Sequence, residues 1–378
     1  MHATNSPVAT DATASWARFT FAILLAALAL LAYLVPYYDW DLVAYVGAGI
    51  ALHEHNPKAI QSEAYAALRD VLPQYDYRDI AEGSAFRRDV AGNADHFSQQ
   101  LRFYNIRPLY IRSLALLHGF GLGWVQATRL ISALSFFLLG LVLFVWARQR
   151  HVPQWEAAIC VPLLMLAPVM FMGARTGSPD AFAAVIVTAG VYCLIEGRYQ
   201  LVGIALLLVA LLARTDQVIF VFLLLAWLAL RADSPRQCAM YAALAVASVL
   251  IVFAINHYEH SYSWQLLMQN TANPIANPAE VAPSFSASDY FAAWRDMVDE
   301  ASESSFLVFV FIAAAALFSR RLPEQWASLL KVVLLSWALH LVVFPHMEDR
   351  YFVAGSAVIG FGGLLALSQN RNHAITEE

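Results

Sequence analysis

Apolar residues run through this chain in long blocks, with neither a strict alternation nor a heptad. Blocks of about 20 residues match the hydrocarbon thickness that an α-helix must cross. Ten can be read: 17–36, 124–147, 155–174, 179–197, 199–213, 216–231, 238–257, 305–319, 325–345 and 351–368. The pattern predicts an all-α polytopic membrane protein of about ten transmembrane helices. Two polar stretches, 37–107 and 258–304, interrupt the blocks. Segment 108–122 is apolar and glycine-rich, and it predicts a short juxtamembrane helix at the end of the first long loop. In the second loop, Tyr290, Phe291, Trp294, Met297 and Val298 recur at helical spacing. That spacing predicts an amphipathic helix lying on the bilayer surface. Residues 1–368 thus form a single transmembrane domain that includes both loops, followed by a cytoplasmic tail, 369–378. The polar ends, 1–15 and 369–378, read as unstructured.

Composition agrees. Only 13% of the 378 residues are charged and 60% are hydrophobic, against about 25% charged in soluble domains. The net charge of −5 leaves no basic footprint for nucleic acid. Cys160, Cys193 and Cys238 have neither CxxC nor disulfide-framework spacing and read as small core residues. The first apolar block is followed by Pro36-Tyr37-Tyr38 and not by a small-residue cleavage site, so it reads as a retained helix.

Charge then orients the chain. With the N-terminus in the cytoplasm, the cytoplasmic connections carry Arg148 and Arg150, Arg198, Arg231 and Arg236, and Arg320 and Arg321. Arg371 lies in the tail and Arg18 precedes the first span. This is the enrichment expected of short cytoplasmic loops. Both termini are therefore expected in the cytoplasm. The opposite face breaks the rule. Its short connections, RTGSPD (175–180), RTDQ (214–217) and HMEDR (346–350), each pair an arginine with an acid.

Five places on that face offer chemistry. Asp39 and Asp41 sit where the first helix leaves the membrane, a costly depth for a carboxylate without a partner or a task. A helix starting near Asp41 would place it at a favourable dipole end, and simple N-capping by either acid is the plain alternative. Arg107 and Arg112 flank PLYI, with forks suited to phosphate or to anchoring a helix end. Ser178-Pro179-Asp180 reads as a helix start, which explains Asp180 by capping but leaves Arg175 unexplained. Arg214 and Asp216 can pair locally. His346, Glu348, Asp349 and Arg350 crowd four ionisable groups into five residues. His346, Glu348, Asp39 and Asp41 have the donor atoms for a divalent cation. No HExxH or comparable spacing supports one, and no metal is assigned.

Arginines and acids gathered beside an apolar interior suit an amphiphilic phosphate ester. Here the sequence resembles the integral-membrane glycosyltransferases of the GT-C superfamily, which use polyprenyl-phosphate sugars. The similarity lies in DLVAYVGAGIAL (41–52), in the RPLY run, in the SPDAFAA helix start and in the DRYF edge. It implies a GT-C-like fold in a bacterial cytoplasmic (inner) membrane, with a periplasmic active site. Asp41 would be the general base, with Asp39 second. Arg107, Arg175, Arg214, His346 and Arg350 would hold the donor phosphate. Tyr45, Asp180, Asp216, Glu348 and Asp349 would line the site. The partners implied are a polyprenyl-phosphate sugar donor, an envelope glycan, lipid or protein acceptor, and membrane lipids. Two features depart from the family pattern. Trp40 splits acids that are often adjacent, and no large C-terminal soluble domain is present. A transporter or lipid-carrier flippase is the alternative, disfavoured by nearly charge-free span interiors, His340 and Arg129 excepted. A scaffold subunit of envelope-glycan assembly is the other.

Overall fold

The computed structural model describes residues 7–197, 199–319 and 322–376, and the side chains of 13–368 among them. Arg198, Arg320 and Arg321, and the side chain of Arg371, lie outside what is described. The described residues form helices joined by short turns: α1 (Pro7–Leu34), α2 (Asp41–Ile50), α3 (Pro57–Arg69), α4 (Gln74–Glu82), α5 (Ala85–Gly92), α6 (Ala94–Leu101), α7 (Pro108–Gly119), α8 (Trp124–Gln149), α9 (Gln154–Met165), α10 (Pro168–Arg175), α11 (Asp180–Ile195), α12 (Gln200–Ala213), α13 (Val218–Leu230), α14 (Pro235–Tyr258), α15 (Trp264–Ala272), α16 (Ala287–Glu303), α17 (Phe306–Phe318), α18 (Glu324–Val343) and α19 (Val353–Thr376). The ends expected to be unstructured are helical from Pro7 and as far as Thr376. Among the described residues the one β contact is an isolated parallel bridge between Tyr37 and Thr176.

Among the described residues, five helices are long and apolar enough to cross a membrane: the stretches Thr13–Leu34, Trp124–Gln149, Pro235–Tyr258, Glu324–Val343 and Asp349–Ser368. Counting two bent pairs as single spans brings the number to seven. The first pair, α9 and α10, bends by 65° where Pro168 starts the second helix, since proline cannot continue the preceding ladder. The second, α16 and α17, bends by 77° at Ser304-Ser305. The segments expected as spans at 179–197, 199–213 and 216–231 are the shorter apolar helices Asp180–Ile195, Gln200–Ala213 and Thr215–Leu230.

Two hydrophobic cores divide the molecule. The larger unites α1 and α8–α14 with α16–α19. The smaller wraps α2 with α3–α7 and the start of α8, so the first long loop is itself a packed helical cap. From Leu42 to Ile50 every residue of α2 is buried. Its glycines allow that. A Cβ on Gly47 would lie 2.6 Å from the Phe97 ring, and one on Gly49 would lie 2.7 Å from the Trp124 ring. Three of the polar cap helices are started by side chains: Asn56 accepts from the Lys58 N–H, Ser84 from Arg87, and Asn93 from Asp95 and His96; α4 starts after Pro73 without one.

Candidate functional site

Where the two cores meet, the end of α1, the start of α2 and the turn between α18 and α19 come together. Tyr37 donates its N–H to the Arg175 carbonyl at 3.0 Å, pinning the chain that leads to Asp39 against α10. Asp41 is the first residue of α2 but caps nothing: Trp40 holds the cap position with no side-chain bond. Both carboxylates are left for another partner, and it is Arg350. Its guanidinium NH1 lies 2.9 Å from Asp39 Oδ2 and 2.6 Å from Asp41 Oδ2, while its Nε meets Glu348. Three carboxylates therefore share one guanidinium.

The oxygens of the two aspartates are occupied differently. The Tyr104 hydroxyl donates to Asp41 Oδ1 at 2.7 Å, so both oxygens of Asp41 are engaged. Asp39 Oδ1 is buried without a hydrogen-bond partner. Burial pushes the Asp39 carboxyl up to about 7, and the charges of Asp41 and Glu348 push the same way against Arg350. Glu348 goes the other way. Burial works against its charge, but Arg350 and His346 outweigh it and hold the carboxyl at about 2. His346 lies 3.2 Å from Glu348 and 3.4 Å from Glu300 of α16. Burial disfavours its charged form, but these acids outweigh burial and raise its pKa.

A second knot lies beside the first. Arg214, 5% exposed, grips Asp216 with two bonds of 2.8 and 2.7 Å and also pairs with Asp180. The expected Ser178 cap on α11 does not form. Pro179 takes the cap position, and the Ser178 hydroxyl donates to the Asp180 carboxylate, which faces Arg214. Tyr351 links the knots, with its ring centroid 4.9 Å from the Arg214 guanidinium carbon and 5.5 Å from that of Arg350. Asp216, His340 and Tyr351 line a cavity of about 30 Å³, large enough for a water. His340 Nε2 is buried and has no hydrogen-bond partner.

Arg107 stands on the remaining side. Its guanidinium lies 5.5 Å from the Tyr45 ring centre and 5.7 Å from that of Tyr104, and it donates to the Phe103 carbonyl. Among the described residues it has no ion-pair partner, yet the charges of Asp41 and Asp216 both act on it.

Two of the nominated residues are occupied elsewhere. The Arg175 side chain donates to the Val35 carbonyl at 2.7 Å, closing the end of α1. Asp349 accepts from the hydroxyls of Ser304 and Ser305 and from the Ser305 N–H, so it clamps the α16–α17 bend. Three partners escaped the sequence reading: Tyr104, Tyr351 as the link between the arginines, and Glu300. Tyr104 lies in FYNIR, beside the flagged Arg107; Glu300 lies on the polar side of the amphipathic helix, where an acid carries no signal. Among the described residues no group of three or more His, Cys, Asp or Glu could hold a metal ion.

The fold and site together define an all-helical chain with several membrane-length helices and a half-buried arginine–carboxylate centre at the junction of two cores. Comparisons with protein-family models, curated proteins and solved structures give no match.

Proposed function

We propose that this chain is an integral-membrane glycosyltransferase of GT-C type. It would transfer a sugar from a polyprenyl-phosphate carrier to a glycan, lipid or protein acceptor on the extracytoplasmic side of a bacterial inner membrane. The proposal includes ten crossings, with α9–α10 as one bent span, α11, α12 and α13 as short spans, and both termini cytoplasmic. The observation that carries it is the meeting of Asp39 and Asp41, just after the first span, with Arg350, at the edge of the last.

In the proposed reaction the acceptor oxygen attacks the anomeric carbon and the bond to the carrier phosphate breaks. The acceptor proton passes to a carboxylate, and the electron pair leaves on the phosphate. One displacement inverts the anomeric centre. Asp39 suits the proton transfer, because one of its buried oxygens has no partner and a carboxyl near pH 7 is matched to work at neutral pH. Asp41, ranked first from the sequence, is bound at both oxygens and suits positioning through Tyr104 and Arg350. Arg107 suits the leaving phosphate, since no carboxylate neutralises it. Arg214 and Arg350, with His346, complete the positive side. The mechanism calls on no divalent cation.

The test is a membrane assay with radiolabelled lipid-linked sugars and the Asp39→Asn and Asp41→Asn variants, each at normal expression. Loss of turnover by roughly 10²–10⁴-fold on removing the base is expected. Full turnover in both variants would sink the assignment. Substrate transport without transfer in reconstituted vesicles would favour the transporter reading instead.

A further inference from the structure

Away from the acidic centre, a cleft of about 150 Å³ opens between the end of α2, the start of α7 and the end of α14. Leu52, Pro108 and Ile111 give it apolar walls. Arg112 and Glu259 face the same cleft, near enough for the arginine's charge to act on the acid. Among the described residues they form no ion pair with each other or with any third group. Arg112 is exposed one turn into α7, and Glu259 ends α14. An exposed cation and a half-buried anion, neither in an ion pair, therefore look into one cleft whose remaining walls are Asn105 and apolar side chains.

The cleft also has a defined setting. α14 has membrane-span length, and its most apolar window is only 22% buried within the protein. Its end, where Glu259 stands, is the edge of that span. Both α7 and α14 pack on α12, which keeps Ala205 and Val209, one turn apart, exposed on one face.

We infer that this cleft binds the headgroup of a zwitterionic phospholipid that carries a primary ammonium, with its chains lying on the bilayer-facing helices. Arg112 takes the phosphate by its fork. Glu259 accepts N–H bonds from the ammonium, which a quaternary ammonium cannot donate. A purely anionic headgroup would meet Glu259 unfavourably, and a neutral polyol has no use for two open charges. The inference rests on α14 crossing the bilayer and is independent of the transfer reaction.

The full chain is placed in nanodiscs of equal parts phosphatidylethanolamine, phosphatidylcholine and phosphatidylglycerol. Lipids retained on release are counted by native mass spectrometry. Retention of phosphatidylethanolamine over the other two by roughly fivefold is expected, the worth of one charge near a membrane surface. Arg112→Ala should abolish the preference, and Glu259→Lys should turn it toward phosphatidylglycerol, each at an unchanged unfolding temperature. Equal retention of all three by the unaltered chain overturns the inference, as does a wild-type preference for either other lipid. It is also overturned if both variants keep the wild-type preference. Displacement of the lipid by soluble glycerophosphoethanolamine at equal concentration would show that a free headgroup suffices, and would overturn the lipid as occupant.

Discussion

Asp39 and Asp41 touch the same guanidinium, yet only one of them has an oxygen to spare. Asp39 is lifted from an ordinary 3.8 to about 7, chiefly by burial. The folded chain thus holds this proton more tightly than the unfolded chain does. Between those two values the unfolded state binds fewer protons, so stability falls as pH rises. Asp39→Asn removes that loss. The variant should melt above the wild type at pH 8, with the gap closing toward pH 4, as differential scanning fluorimetry would read. If Asp39 serves as the proposed base, wild-type turnover should rise with pH through about 7 as its carboxyl loses the proton. Glu348 has the opposite sign. Held near 2, it lends stability above its ordinary 4.5 that is lost as pH falls toward 2. Glu348→Gln should therefore lower the melting temperature at pH 7 and leave it little changed near pH 2. Arg107→Ala should cost turnover by roughly 10²–10³-fold, the scale of one positioned donor at a developing anion. A value within twofold of wild type would remove Arg107 from the phosphate's partners. The acids and arginines were legible in the sequence because charge at a membrane edge is conspicuous. Tyr104 and Tyr351 were not, because tyrosine at such an edge is ordinary and the partners that reveal them, Asp41 for Tyr104 and Arg214 for Tyr351, lie far away in sequence.

At the scale of elements, hydropathy placed the internal apolar helices to within a few residues but missed the polar extensions of α1 back to Pro7 and of α19 on to Thr376, and the α9–α10 break was marked only by Pro168. The cap helices α3–α6 are too polar to stand out as apolar blocks, and their signal is only a helical spacing of the few buried residues, such as Ile60, Ala64 and Leu68 of α3; the caps Asn56, Ser84 and Asn93 are common loop residues. The bend at Ser304-Ser305 was equally silent, because its cause is Asp349 from another turn. Asp349→Ala strips three hydrogen bonds from that bend. It should cost about 1–3 kcal/mol and speed proteolysis between α16 and α17. α2 makes the converse point. Gly49→Val forces side-chain atoms into the Trp124 ring and should destabilise by about 1–3 kcal/mol. Chemical denaturation of the detergent-solubilised protein would measure both.

For the molecule as a whole, orientation came from arginines, three of which lie outside the described residues. It can be tested directly. In a Cys238→Ser background, Tyr75→Cys and Asp233→Cys place thiols at exposed positions on the two expected sides. An impermeant maleimide on intact cells with a permeabilised outer membrane should label position 75, and position 233 only after lysis. The reverse pattern would invert the topology. That the two ends of the chain close one centre was expected only from the family resemblance; the direct pairing of Arg350 with both aspartates had no signal in any local pattern.

That closure has a consequence for biogenesis. Asp39 and Arg350 are 311 residues apart in sequence. While the chain emerges from the ribosome, the two aspartates reach the membrane edge long before their counter-charge exists. At roughly 5–20 residues per second the wait is tens of seconds. Until the last span inserts, the start of α2 lacks its electrostatic anchor, and the nascent protein is exposed to quality-control proteases. Truncation before Arg350 should shorten the half-life in the cell far more than loss of the final few residues would.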